Sequence, residues 1–188
     1  MDAEESGSKS APTNVNPLIR EATEADLPEV LRIYAQPELD AGAVLSLEEA
    51  RSRLQRFSSY PCYRLFVAEV DGAVVGTFAL LIMDNLAHLG APSGIVEDVG
   101  VLPEFQGRGI GKQMMHKARE LCAEAGCYKL VLSSNARRTA AHSFYESLGF
   151  RKHGVSFLVE QEGPGDEDHR PSRDNHRSAA GSGDRGHP

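Results

Sequence analysis

The chain has 188 residues, 40% of them hydrophobic, enough for one domain with a real core. Its 20 Lys and Arg against 27 Asp and Glu leave a net charge of -7, which argues against a general nucleic-acid binder. No apolar run has the length of a membrane span, and no hydrophobic leader core follows the polar N-terminus. The three cysteines, Cys62, Cys122 and Cys127, lack metal-type spacing and fit a reducing, cytoplasmic setting.

Residues 1–16 are rich in Ser, Glu, Asn and Pro and read as a disordered tail. A second polar tail covers residues 162–188, leaving a folded domain at 17–161. The irregularly spaced His169, His176 and His187 of that tail read as solvated. Leu18 to Ala22 is a short strand. Thr23 and Asp26 then cap a helix carrying Leu27, Val30, Leu31 and Tyr34 at helical spacing. Ser46 and Glu49 form a capping box ahead of Leu47, Ala50, Leu54 and Phe57. Arg64 to Val70 and Ala73 to Met83 are β-rich runs joined by Asp71-Gly72, a strong hairpin signal. A loop from Asp84 to Gly94 leads to a strand, Ile95 to Val101. Gly109 to Ala125 is a helix with Ile110, Met114, Ala118 and Leu121 on one face, closed by Gly126. Cys127 to Leu132 is a buried strand, Thr139 to Leu148 a short helix, and Phe150 to Glu160 a final strand. The order β-α-α-β-β-β-α-β-α-β describes a mixed α/β domain. Its central meander argues against a dinucleotide-binding domain, which alternates strand and helix from the start.

The most informative stretch is Glu97-Asp98-Val99-Gly100-Val101-Leu102-Pro103-Glu104-Phe105-Gln106-Gly107-Arg108-Gly109-Ile110-Gly111. A strand with two carboxylates runs into a turn, a Gly-rich segment with one Arg, and the start of a helix. Glycines let the backbone approach a bulky ligand, and the unpaired N–H groups of a helix start suit a phosphate or pyrophosphate. Gly-x-Gly-x-Gly alone is a weak signal. Gln106, Arg108 and the strand-to-helix context raise its specificity. A second element follows, Ala141-His142-Ser143-Phe144-Tyr145-Glu146-Ser147-Leu148-Gly149-Phe150. Phe144 and Phe150 read as packing, whereas the Tyr145 hydroxyl needs a polar partner wherever it is buried.

Together the two elements resemble the GNAT superfamily of acetyl-CoA-dependent N-acetyltransferases. Gln106-x-Arg108-Gly109-x-Gly111 resembles the family's pyrophosphate-binding motif, and Phe144-Tyr145-Glu146-x-x-Gly149-Phe150 its downstream motif. The resemblance implies a mixed, mostly antiparallel sheet flanked by helices, with acetyl-CoA as cosubstrate. It implies that the backbone amides of Gln106, Gly107, Arg108, Gly109, Ile110 and Gly111 face the pyrophosphate. The backbones of Val99 and Val101 would pair with the pantetheine arm. Tyr145 would protonate the leaving thiolate. Glu97 or Asp98 would serve the attacking amine. Strand alternation points these two to opposite faces, so one role for both is not expected, and Glu97 is the better base. Where many members carry an Asn seven residues before this Tyr, the chain has Arg138. Asn135, with Ser134, stands in as the downstream cofactor contact, and Arg138, with Arg137, would meet the CoA 3′-phosphate or an anionic substrate. His142 is a weaker candidate for a proton relay.

Glu97-Asp98-Val99-x-Val101 resembles the glucosamine-phosphate N-acetyltransferases, and Arg138-x-x-Ala141-His142-x-Phe144-Tyr145 the aminoalkylphosphonate N-acetyltransferases. Both favour a small-molecule primary amine over a protein or peptide, and the retained acids and Tyr145 argue against an inactive CoA-binding regulatory module. The acceptor pocket is expected between the first two helices and the 84–94 loop, with Tyr34, Asn85 and His88 as members. No nucleic acid, membrane or metal partner is expected, and a homodimer through the last strand, Val155 to Glu160, stays open.

Overall fold

The structure, a computed structural model, describes residues 14–40 and 42–159. A compact unit runs up to Lys152 and holds every helix and strand described below. Its strands are β1 (Leu18–Glu21), β2 (Tyr63–Val70), β3 (Ala73–Met83), β4 (Ser93–Val101) and β5 (Lys129–Leu132). They form one sheet in the order β1-β2-β3-β4-β5, antiparallel except for the last, parallel pair. The helices are α1 (Leu27–Tyr34), α2 (Leu47–Phe57), α3 (Ile110–Glu124) and α4 (Thr139–Ser147).

Helices cover both faces of the sheet, so the central strands read as continuous apolar runs rather than alternating ones. In β3, Val74 through Leu80 are all buried. Two glycines mark how closely α3 lies on its face. A Cβ on Gly76 would stand 2.9 Å from Met114 Sδ, and one on Gly94 would collide with Cys122 Sγ. On the opposite face a Cβ on Gly100 would stand 2.5 Å from Ile33 of α1. Gly94→Ala should therefore lower stability by about 1–3 kcal/mol through overpacking, read as a lower denaturant midpoint with an unchanged slope.

Local signals account for the helix ends. In the capping box of α2, the Ser46 N–H donates to Glu49 Oε2 (2.9 Å) and the Glu49 N–H to Ser46 Oγ (3.3 Å). At the end of α3, Gly126 takes φ +72° and the Cys127 N–H reaches back to Cys122 O (2.9 Å). Before α1, the buried Asp26 carboxylate accepts from the Thr23 N–H (2.7 Å) and from both terminal nitrogens of Arg20 (2.8 Å each). The Arg20 hydrogen bonds hold the Asp26 carboxyl down at about 2. A depressed carboxylate contributes stability that is full above its unfolded value and lost as pH falls through the folded one. Asp26→Ala should cost about 2–3 kcal/mol at neutral pH. That difference from the parent should vanish between about pH 4 and pH 2 in denaturant titrations.

Two expectations change. The strand expected over Phe150 to Glu160 is not formed within 150–159. There Val155, Phe157, Leu158 and Val159 are exposed, so among the described residues the order ends at α4. The homodimer edge expected at Val155 to Glu160 loses its strand accordingly. Ahead of Pro17, the Val15 N–H donates to Arg108 O (3.2 Å), bringing the first described residues to the Gly-rich segment.

Candidate active site

The site grows from an irregularity in β4. Ala79 of β3 faces Glu97 and Thr77 faces Gly100, so three steps along β4 match two along β3. The extra residue is a β-bulge, and Asp98 takes up the bend with φ +53°. Aspartate is among the few L-residues that tolerate this left-handed region. The bulge breaks the alternation that the sequence implied, and the expectation of opposite faces for Glu97 and Asp98 is corrected. Both acids stand on the α1–α2 side. Asp98 lines a cavity there together with Ala79, and both carboxylates act on the Tyr63 phenol.

Their surroundings raise both carboxyls. Burial comes first for Glu97, then the charge of Asp98; for Asp98 burial again comes first, then the charge of Asp40. Both side chains still reach solvent, so proton exchange is unobstructed. Tyr34 adjoins the same group: burial is the main cause of its strongly raised phenol, with the Asp98 charge second.

A free strand edge lies beside the bulge, where β5 ends at Leu132. Parallel pairing with β5 ends at Val96 opposite Leu132. Beyond it, Glu97, Gly100 and Val101 keep their β3 partners, and residues 97–101 have no strand partner toward β5 among the described residues. The free edge includes Val99 and Val101, though Gln106 Nε2 donates to Val101 O (3.0 Å). The Gln106 amide thus closes its own turn.

After a 3-10 turn at Pro103–Phe105 the Gly-rich segment opens α3. Gly107 (φ +75°) and Gly109 (φ +84°) need their left-handed backbone, and Gly109 is the N-cap of α3. Gln113 N makes the first bond to Gly109 O (3.1 Å), which leaves the N–H groups of Ile110, Gly111 and Lys112 without helical partners. The Arg108 guanidinium lies 5.1 Å from the Phe105 ring centre. Gly111 has a different use from the expected ligand approach: a Cβ there would stand 3.1 Å from the Phe144 ring, so this glycine seats α4 on α3.

The other side of the opening is the turn from β5 to α4. Asn135 Oδ1 accepts from the Arg137 N–H (2.9 Å), and His142 Nε2 donates to Asn135 O (2.9 Å). The Nε2 of His142 is thereby tied to the turn. Ser134 Oγ is buried without a hydrogen-bond partner, an uncommon condition that suits a polar ligand group. Arg138 is the N-cap of α4. The Tyr145 ring packs on Phe144 and Phe150, with centroids 5.1 and 5.8 Å away. Burial raises its phenol, while Arg138 pulls it the other way.

The 84–94 loop does not line the cavity. Asn85 tethers the loop to Ala91 O (2.9 Å) and His88 stacks on Tyr128 at 4.1 Å, so neither expected pocket member serves there. Tyr34 does. Asp40 and Arg53, which no motif marked, line it as well.

Residues 27–150 match the family model described as Acetyltransferase (GNAT) family. The chain belongs to the GNAT acetyltransferase family. It is therefore an acyltransferase with the N-acetyltransferase fold expected from its motifs. A glucosamine 6-phosphate N-acetyltransferase of Trypanosoma brucei brucei is 36% identical over 90 residues, covering 48% of this chain and 59% of that protein. A thialysine N-epsilon-acetyltransferase of Bos taurus is 31% identical over 142 residues, covering 70% of this chain and 82% of that protein. Among solved structures, a Trypanosoma brucei acetyltransferase superimposes with a TM-score of 0.67 at 28% identity, covering 78% of this chain and all of that one. Among the described residues of this GNAT protein, no helix is long and apolar enough to cross a membrane.

Proposed function

We propose that the protein transfers the acetyl group of acetyl-CoA to the primary amine of a small molecule by direct attack on the thioester, in the cytoplasm. The observation that carries this reading is the bulge at Asp98. Beside it β4 keeps a free edge toward β5 beyond Val96, and two raised carboxylates stand on the α1–α2 face of the same strand. The surroundings fit the cosubstrate. Unpaired first-turn N–H groups and the left-handed glycines suit its pyrophosphate, and the partnerless Ser134 Oγ suits a polar group of its arm. Asn135 and Arg138 follow Ser134 in sequence.

Acetyl-CoA supplies the thioester carbon that the amine attacks. Gln106 through Gly111 hold the phosphates, and the Val99 and Val101 backbones align the arm as an added strand. Glu97 takes the proton that the amine must lose, directly or through water. Tyr145, kept protonated by its surroundings, supplies one to the departing sulfur. A screen of small amines with acetyl-CoA and a thiol reporter tests the reading. Thiol release that needs a small amine is the expected result. Release with peptides alone, or acetyl-CoA binding without release, would sink it.

A further inference from the structure

The cavity beside Asp98 has a polarity that sorts acceptors. Its volume is about 230 Å³, and α1, α2, Asp40, Val44 and Leu45 supply most of its wall. A cavity of about 150 Å³ already holds a benzene-sized molecule, so there is room here for a short chain. Leu31, Val44, Leu45, Leu54 and Phe57 make the wall apolar. The polar groups are few: the Tyr34 phenol, the carboxylates of Asp40 and Asp98, and Arg53 as the one cation among the described lining residues. Asp40 is fixed where α1 ends, its N–H donating to Tyr34 O (3.1 Å) and its carbonyl accepting from the Ala43 N–H (2.9 Å). Asp40 and Asp98 both line the cavity, and the Asp40 charge is the second cause, after burial, of the raised Asp98 carboxyl.

We infer that the acceptor is a free aliphatic amine on an unbranched apolar stem, its ammonium held by Asp40 and Asp98 and its stem along Leu31, Leu54 and Phe57. The inference rests on the acetyl-transfer reading above. A phosphorylated amino sugar fits this cavity poorly. Its hydroxyls would meet hydrocarbon with one phenol to answer them, and an unpartnered buried hydroxyl is costly. Its phosphate would meet two like charges and one guanidinium. An alkylammonium leaves no polar group of its stem unpaired and neutralises the acid pair. The step balances: the held ammonium gives one proton to a carboxylate, and its nitrogen lone pair forms the C–N bond. The C–S bond breaks with its electrons going to sulfur, the thiolate takes a proton from Tyr145, the second nitrogen proton returns through water to the Tyr145 phenolate, and the carboxylate gives its proton to solvent.

A lysine side chain in a peptide carries the same chemistry, so the test separates the sources. The full chain is assayed by CoA release with propylamine through hexylamine, glucosamine 6-phosphate and a lysine-containing peptide. KM should fall about three- to fourfold per added methylene. Hexylamine should exceed glucosamine 6-phosphate about a hundredfold in kcat/KM. Asp40→Asn should raise the amine KM about tenfold with kcat and the acetyl-CoA KM unchanged, a split that a misfolded variant does not give. Leu54→Asn should flatten the chain-length dependence. Glucosamine 6-phosphate preferred over hexylamine, no dependence on stem length, or the peptide preferred over every free amine would each overturn the inference while leaving acetyl transfer intact. A parent chain that binds no acetyl-CoA overturns the transfer reading, and this inference with it.

Discussion

Tyr145→Phe is expected to lower kcat about 10²–10³-fold while leaving the acetyl-CoA KM within about twofold. The substitution removes one oxygen and keeps the ring that packs on Phe144 and Phe150, so stability should hardly change. Burial disfavours the charged phenolate, which keeps the hydroxyl protonated across neutral pH and ready to donate. Arg138 acts in the opposite sense by stabilising the phenolate that donation leaves behind. Arg138→Ala should therefore slow release modestly, about tenfold, and should push the phenol higher still. Because proton supply to sulfur is the step lost, a thioester with a more acidic leaving thiol should recover most of the Tyr145→Phe rate. An equal loss with such a thioester removes Tyr145 from proton supply to the sulfur.

The sequence made some of this legible because the signals were local. Asp71-Gly72 marks its hairpin, and Asp71 and Gly72 both take the positive φ that the turn demands. The Ser46–Glu49 box and the Gly126 stop act within five residues of themselves. The β4 bulge is different. It is a mismatch in count between β4 and β3, so it exists only in the pairing, and the alternation rule failed at Asp98 for that reason. Pairing also decides Val155 to Val159. Their run of β-branched and aromatic residues is that of a strand, yet a strand needs a neighbour, and the composition says nothing of one. Asp40 and Arg53 were invisible for a related reason. They reach the cavity through the packing of α1, α2 and the connection between them, where no motif records the distance. Gly111 carries a second constraint that its motif did not show: its missing Cβ is what Phe144 requires.

Replacing the two acids one at a time should separate their roles and expose what their arrangement costs. Glu97→Gln is expected to lower kcat about 10²–10³-fold. Asp98→Asn should chiefly raise the amine KM, about tenfold, because Asp98 lines the cavity with Asp40 nearby. In the parent enzyme the acid limb of the kcat profile should lie above the ordinary carboxylate value of about 4.3, since burial and then Asp98 raise Glu97. The sign of the shift in Asp98→Asn follows from that neighbour. Removing a like charge lowers the Glu97 carboxyl, so the acid limb should move to lower pH. A limb that stays in place means that Glu97 is not the base. An acid raised on folding destabilises the folded state as pH rises through it. Asp98 adds the strain of φ +53° on a residue with a side chain. Asp98→Gly should thus gain about 1 kcal/mol of stability at neutral pH while the amine KM rises. A variant that is more stable and a poorer enzyme would mark the bulge as a feature kept for the site, since the sheet itself is better off without that carboxylate.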